Sequence, residues 1–223
     1  MDTIDLIRLH LALEGTGIDA AGQMVRIPCD DPDTLFRVYV TRHAGGDTIF
    51  FQAGLSPSVR SRLLQLPITI FFEHPQQVEA VLAEDGPCTD RHIGKSYVFL
   101  GSLSAAWYPH VMRLAQVDPQ VVRQFNPGLD PCQKEIFAVL ADGKIVATCE
   151  SSRENEFAGE AWVQTLEPYR RRGFARQVTA AWGHWLQQHG KVPFYSHRLD
   201  NLASQSVARS LGLIQYIEDT GYA

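Results

Sequence analysis

The sequence predicts an α/β protein with a mixed sheet flanked by helices. One observation is the Asp142-Gly143 turn between two apolar runs, which indicates a β-hairpin. Another is the order strand, short helix, hairpin, strand, basic turn, helix, strand, helix and strand over residues 110–220. Strands that are first consecutive and then alternate with helices favour a sheet with antiparallel and parallel pairs.

The composition is that of an ordinary globular protein, with 223 residues of which 45% are hydrophobic and 20% charged. This length is enough for one large domain or two small ones. No window approaches 18 uninterrupted apolar residues, and the N-terminus lacks the basic and apolar regions of a secretory signal. We therefore expect a cytoplasmic protein without membrane contact, either a monomer or a homodimer.

The cysteines are far apart in the sequence and form no CxxC pair. This spacing argues against the usual zinc sites, so no metal is expected. Reduced thiols in a cytoplasmic protein explain the pattern. The four residues are Cys29, Cys88, Cys132 and Cys149.

The charge is unevenly distributed between the two halves of the chain. Residues 1–108 contain 8 Lys/Arg and 13 Asp/Glu, whereas residues 109–223 contain 12 of each. The second half nevertheless has a tight basic cluster at Arg170–Arg172 and Arg176. A local cluster in a neutral domain indicates a small anionic ligand, because a nucleic-acid-binding protein would show a wide basic face.

The first half is predicted to form a smaller α/β domain of residues 1–104. A small, polar stretch at 101–108 places the boundary. The predicted elements are a helix over 1–14, a hairpin with strands 36–41 and 48–51, helices opened by Ser56-Pro57 and His74-Pro75, and a short strand over 68–72.

The second half, residues 105–223, is predicted to form a second α/β domain. Its hairpin strands contain alternating apolar residues on each side of the Asp-Gly turn. The predicted elements are a strand over 111–115, a helix over 119–125, strands over 135–140 and 144–149, a polar loop over 151–159 and a strand over 160–166.

A basic turn and a helix follow that last strand. The apolar positions Phe174, Val178, Trp182 and Trp185 share one helical face, and Gly190 is typical of a helix end. The N-terminus of a helix carries unpaired N–H groups and a partial positive charge, so it attracts phosphate. Arginines oppose the dipole at this end, and their presence indicates a bound anion.

The sequence Arg170-x-x-Gly173-x-Ala175, directly after a strand and opening a helix, resembles the acetyl-CoA signature of the GNAT acetyltransferase superfamily. Downstream, residues 193–197 are similar to the fifth strand of that superfamily. Asn201–Ser204 and the later Gly212-Leu213 are similar to its last conserved helix and the residues that end it. The resemblance covers about residues 110–220. It implies that residues 105–223 are the acetyl-CoA-binding catalytic domain, and that residues 1–104 are either an acceptor-side domain or a degenerate copy of the same fold.

The resemblance implies a splayed sheet in which the pantetheine arm of acetyl-CoA pairs with the strand before the basic turn. Asn201 and Ser204 match positions near the cysteamine end of the arm, although Asn201 also suits a helix N-cap. The arm contacts implied are Val163, Gln164 and Thr165. The pyrophosphate contacts implied are Arg170, Arg171, Arg172, Gly173, Phe174, Ala175 and Arg176.

The resemblance further implies direct attack of an amine on the thioester within a ternary complex. Glu160 is the first candidate for the base, although it also suits an exposed strand-end carboxylate, and Glu150 at the end of the preceding strand is the second. Ala208 stands where many members of the family have a tyrosine that protonates the thiolate. Tyr195 or Tyr216 is the expected replacement, unless the thiolate leaves unaided.

The expected function is therefore acetyl-CoA-dependent N-acetylation of a small-molecule or peptide amine. The expected partners are acetyl-CoA and an unidentified amine, without nucleic acid. The alternative that the sequence leaves open is an acyl-CoA-binding sensor or interaction module without turnover.

Overall fold

A computed structural model describes residues 1–28, 35–101, 108–126, 128–129 and 134–223. The helices are α1 Thr3–Leu13, α2 Pro57–Leu63, α3 Ile68–Glu73, α4 Pro75–Leu82, α5 Pro119–Phe125, α6 Phe174–Gln188 and α7 Leu202–Ser210. The strands are β1 Thr16–Ile18, β2 Met24–Arg26, β3 Val38–His43, β4 Gly46–Phe51, β5 Arg91–Val98, β6 Val111–Arg113, β7 Phe137–Ala141, β8 Lys144–Glu154, β9 Ala158–Thr165, β10 Val192–Arg198 and β11 Ile214–Tyr222. Among the described residues, no helix has the length and apolar character needed to cross a membrane.

The chain forms two compact units. The first comprises Met1–Ser96, Ser196–Asn201 and Gln215–Ala223, and the second comprises Tyr97–Tyr195 and Leu202–Ile214. The C-terminal strand thus clusters with the N-terminal half of the chain, so the division is not a single cut in the sequence. The boundary expected after residue 104 falls within 102–107, outside the described residues.

In the first unit, β4, β3, β11 and β5 lie side by side in that order. β11 and β3 pair antiparallel, as do β3 and β4, which form the predicted hairpin. Helices α2, α3 and α4 bury apolar side chains against one face of these strands. The core they form includes Val59, Leu63, Phe71, Val78 and Leu82 from the helices and Val38, Val40 and Tyr222 from the strands.

The helix starts predicted in the first half are confirmed by their caps. The Asp2 carboxylate accepts the Asp5 N–H at 2.8 Å, and Asp5 completes a capping box at the start of α1. Ser56 Oγ accepts the Val59 N–H at 3.3 Å, with Pro57 in the first turn of α2. α4 likewise begins at Pro75. Polar caps and prolines are local signals, which explains why the sequence alone places these ends.

The short strand predicted over Ile68–Phe72 is wrong, because these residues form helix α3. The apolar run lies between Pro67 and Pro75 and is too short to show a period that separates a buried helix from a strand. Phe71 and Phe72 are both buried, so packing of one helical turn decides the conformation. Strand β5 was not predicted from the sequence.

In the second unit, β10, β9, β8, β7 and β6 lie side by side in that order. β9 and β10 are parallel, whereas β6 to β9 form antiparallel pairs. The mixed sheet flanked by helices predicted from the sequence is therefore confirmed. α6 covers one face through Val178, Ala181, Trp182 and Leu186, and α5 contributes Val122 to a second apolar cluster that includes Leu114, Ile136, Ala138 and Ile145.

Packing of α6 on the sheet depends on a fully buried tryptophan and a glycine. Trp182 Nε1 donates to Ser151 Oγ at 3.0 Å, which satisfies the polar atom of an otherwise apolar ring. A Cβ at Gly159 would lie 2.9 Å from Leu186 Cδ1 and 3.1 Å from Ser151 Oγ. Gly159 therefore allows the helix to approach β9 closely.

Two predicted boundaries in the second half are corrected. The polar loop expected over 151–159 is mostly strand, because β8 continues to Glu154 and β9 begins at Ala158. The strand expected over 111–115 ends at Arg113, and a 3₁₀ turn follows over Leu114–Gln116. Polar residues in the middle of a sheet give no apolar alternation, so the sequence pattern was that of a loop.

Candidate active site

A gap opens between β9 and β10 in the second unit. Three residue pairs join these strands, from Val192–Ala158 to Phe194–Glu160. β9 continues to Thr165 and remains paired with β8 over that length. Past Glu160, the β10-facing side of β9 has no strand partner within the described ranges. An extended amide chain can pair with such an edge, which fits the predicted pantetheine site.

A β-bulge in β8 lies opposite the closed end of this gap. Ser151 pairs with Ala161, but Arg153 pairs with Glu160, so Ser152 is the extra residue. Ser152 Oγ donates to the Glu160 carbonyl oxygen at 3.2 Å. The bulge therefore leaves this carbonyl with a side-chain donor, and it increases the local twist where the two parallel strands separate.

Glu160, the predicted base, is the last β9 residue that pairs with β10. Its side chain is 7% exposed, and Arg153 Nη1 donates to its Oε2 at 3.1 Å. A buried carboxylate needs such a partner, since burial of an unpaired charge is costly. The ion pair fixes the carboxylate at the closed end of the gap.

The predicted anion site lies at the other end of the gap, where β9 gives way to α6. Gly173 precedes the helix with φ 80°, and no side chain of the described residues caps the helix N-terminus. Arg171 also has a positive φ, 62°. Backbone N–H groups in such a turn point into a common concavity that suits an anion. A Cβ on Gly173 would meet nothing within 4 Å, so the approach to this backbone is open.

The arginine side chains around this turn have different neighbours. Arg170 Nε donates to the Thr165 carbonyl at 3.4 Å, and the Arg172 guanidinium lies over the Tyr169 ring. Arg176 Nε donates to the Ser210 carbonyl in the last turn of α7, at 3.1 Å. The side chain of Arg176 therefore also joins two helices, and its predicted contact with an anion stays a prediction.

Two buried polar atoms beside the gap fit a ligand that pairs with them. Thr165 Oγ1, at the end of β9, and Gln177 Oε1, in the first turn of α6, have no hydrogen-bond partner within the described ranges. Unpaired buried oxygens are uncommon and usually have an explanation. An amide N–H of a pantetheine arm along β9 would satisfy Thr165, one of its three predicted contacts.

Tyr195 is the first β10 residue beyond the pairing with β9. Its side chain belongs to the buried cluster on the α6 face, together with Ala208 of α7, and forms a hydrogen bond with Ser204. Burial raises the pKa of Tyr195 to about 12, and the bond to Ser204 opposes this shift. Because Ser204 lies one helical turn before Ala208, the Tyr195 hydroxyl lies near the residue at which the sequence resemblance implies a tyrosine in other proteins.

The opposite face of the sheet carries the second predicted base. Glu150 is the cross-strand partner of Trp162, and alternation places both on the face away from α6. Burial raises the pKa of the Glu150 carboxyl, and the positive charge of Lys134 opposes this. Trp162 is 60% exposed although β9 is an inner strand.

Most predicted site residues lie together in the second unit, around the gap and the N-terminus of α6. Asn201 and Tyr216 are exceptions, because both belong to the first unit. There, the Tyr216 hydroxyl forms a 2.5 Å hydrogen bond with His10 Nδ1. Sequence reasoning missed Ser152 and Arg153, since the polar run around them has no apolar alternation.

The family model described as GNAT acetyltransferase matches residues 137–222, from the start of β7 to the end of β11. The match confirms the resemblance inferred from the basic turn. No curated protein matches the chain.

Among solved structures, an acetyltransferase from the GNAT family of Colwellia psychrerythraea is 13% identical, with a TM-score of 0.50, 100% of this chain and 97% of that chain covered. A GCN5-related N-acetyltransferase-like protein from Streptococcus suis 89/1591 is 14% identical, with a TM-score of 0.47 and both chains fully covered at 100%. For a GNAT-family protein from Novosphingobium aromaticivorans the identity is 17% and the TM-score 0.48. That match covers 60% of this chain and 65%, just under two thirds, of the other. The Colwellia structure supports the fold assignment.

Proposed function

We propose that this chain, whose residues 137–222 match the GNAT acetyltransferases, transfers an acetyl group from acetyl-CoA to a primary amine of a small molecule or peptide. The observation that carries the proposal is the gap between β9 and β10, which ends at Glu160 on one side and reaches the uncapped N-terminus of α6 on the other. The gap fits an extended amide arm, and the helix end fits a pyrophosphate.

In the proposed complex, the N–H groups of residues 171–176 bind the phosphates, and the arm runs along Val163, Gln164 and Thr165 towards the closed end of the gap. The thioester then lies near Glu160 and Tyr195, the residues that flank this end. Backbone N–H groups of β9 that face the gap are available to polarise the thioester oxygen.

The acceptor attacks the thioester carbon as a neutral amine, because an ammonium has no free electron pair. Glu160 takes the proton of the amine, directly or through water. As the C–S bond breaks, the sulfur leaves as a thiolate and the acetyl group forms an amide with the amine. The Tyr195 hydroxyl donates a hydrogen bond to this thiolate.

Tyr195 acts as a hydrogen-bond donor rather than a full proton donor, because its pKa of about 12 is above that of a thiol. We expect Tyr195→Phe to lower kcat about tenfold, within the usual range for one hydrogen bond to a charged group. The ratio of wild-type to variant kcat should stay constant from pH 7 to pH 10, measured by thiol release. A ratio that falls to one within this range would mean that the Tyr195 hydroxyl itself ionises there, which would contradict its role as a hydrogen-bond donor up to pH 10.

Purified protein tests the proposal when it is mixed with acetyl-CoA and a broad panel of primary amines, and both thiol release and acetylated product are measured. We expect stoichiometric formation of both products with at least one amine. Tight acetyl-CoA binding without release above background on any amine would support the alternative, a sensor without turnover. Acetyl-CoA binding that DNA competes away would instead point to a nucleic-acid site at the arginines.

A further inference from the structure

The sheet face opposite α6 holds an acidic and an aromatic side chain next to each other. Glu150 and Trp162 are cross-strand partners on β8 and β9, so their Cβ atoms are about 5 Å apart. Trp162 is 60% exposed, whereas Glu150 is half-buried beside it. An exposed indole on an inner strand is unusual, because such positions are normally covered.

The position of this pair relative to the gap is fixed by strand geometry. Glu160 and Trp162 are two residues apart on β9, so they share a face and lie about 7 Å from one another. The face with Ala161 and Val163 packs against the cluster that includes α6. The amine acceptor therefore approaches a pantetheine arm bound in the gap from the sheet face opposite α6. This face carries Glu160, Glu150 and Trp162.

A carboxylate beside an open indole is suited to a cation. The indole face attracts an ammonium through its quadrupole, and the carboxylate attracts it by charge. The reacting nitrogen itself must be neutral, so this cation is a different group of the acceptor. Among the described residues, the Lys134 charge acts on Glu150, and the Lys134 Nζ donates to the Ser151 carbonyl at 3.3 Å.

We propose that Glu150 and Trp162 bind a second cationic centre of the acceptor, so that the preferred substrates are diamines or polyamines with about 7 Å between the reacting and the charged nitrogen. This inference rests on the proposed function. Unbranched diamines with four or five methylene groups have this spacing when extended, and the matching monoamines have the same reacting end without the second charge.

The test compares 1,4-diaminobutane and 1,5-diaminopentane with butylamine and pentylamine in the acetylation assay. We expect kcat/KM to be about tenfold or more higher for the diamines, which is the usual effect of one bond to a charged group. Trp162→Ala should raise KM for the diamines about fivefold and leave the monoamines unchanged, and Glu150→Gln should raise KM for the diamines about tenfold. The affinity for acetyl-CoA should not change in either variant.

Phe157→Ala and Glu156→Gln are the matched controls. Phe157 is 58% exposed, close to the 60% of Trp162, and lies with the exposed Glu156 in the connection between β8 and β9. Both controls should behave as wild type. Calorimetric binding of 1,5-diaminopentane to the complex with coenzyme A gives a readout without turnover, and Trp162→Ala should weaken it.

Equal kcat/KM for diamines and monoamines, or variants that affect both classes equally, would overturn the inference and leave the proposed function standing. Binding of acetyl-CoA without acetylation of any amine would instead contradict the proposed function, and this inference with it.

Discussion

Gly173→Glu is expected to weaken acetyl-CoA binding about 100-fold or more. The new carboxylate would stand at the N-terminus of α6, where the phosphates are proposed to bind. Two like charges about 4 Å apart repel by about 4 kcal/mol near a protein surface, which is enough for this loss. Isothermal calorimetry with acetyl-CoA measures it directly.

Gly190→Glu is the matched control, because it places the same residue at the other end of the same helix. Gly190 has φ 72° and Gly173 φ 80°, and a Cβ at either position meets nothing within 4 Å. Both variants therefore have the same backbone penalty of about 1–2 kcal/mol. We expect similar melting temperatures for the two and near wild-type affinity for Gly190→Glu.

Gly173→Ala separates charge from backbone strain, since it has the strain without the carboxylate. We expect its affinity for acetyl-CoA to fall only a few-fold. Unchanged affinity in Gly173→Glu would remove the pyrophosphate from this turn. An equal, large loss in Gly173→Ala would assign the effect to the shape of the turn instead.

The sequence was most informative where the structure depends on local chemistry. The basic turn, Gly173 before α6 and Gly190 after it were all predicted, since positive φ and helix ends restrict the residue type directly. The match of residues 137–222 to the family confirms the resemblance drawn from these positions. The roles of individual residues in binding and catalysis stay predictions.

The sequence was least informative where contacts between residues far apart in the chain determine the structure. No local sequence pattern indicates that Gln215–Ala223 clusters with the first 96 residues, or that β5 lies beside β11 in the sheet. The bulge at Ser152 was read as a loop because its hydrogen bond to the Glu160 carbonyl is formed across two strands. The exposure of the Trp162 side chain was equally invisible, since it depends on which parts of the folded chain cover that face of the sheet.

Glu160→Gln is expected to lower kcat by about 10²–10⁴-fold, the usual contribution of a positioned base. Glutamine keeps the shape of the side chain, and its amide oxygen can accept the hydrogen bond that Arg153 Nη1 donates at 3.1 Å. The fold and the affinity for acetyl-CoA should therefore be preserved. Stopped assays at saturating acetyl-CoA and amine measure the loss, and calorimetry measures the affinity.

The pH dependence separates a base from a structural carboxylate. As the pH approaches the pKa of the amine, more of the amine is neutral in solution. The rate of acetylation therefore depends less on a base that removes its proton. The deficit of Glu160→Gln should therefore shrink as the pH rises, whereas a structural defect would give the same deficit at every pH. Glu150→Gln should raise KM for diamines at nearly unchanged kcat. A loss of kcat in Glu150→Gln with normal kcat in Glu160→Gln would exchange the two roles, because both carboxylates lie on the sheet face from which the amine is proposed to attack.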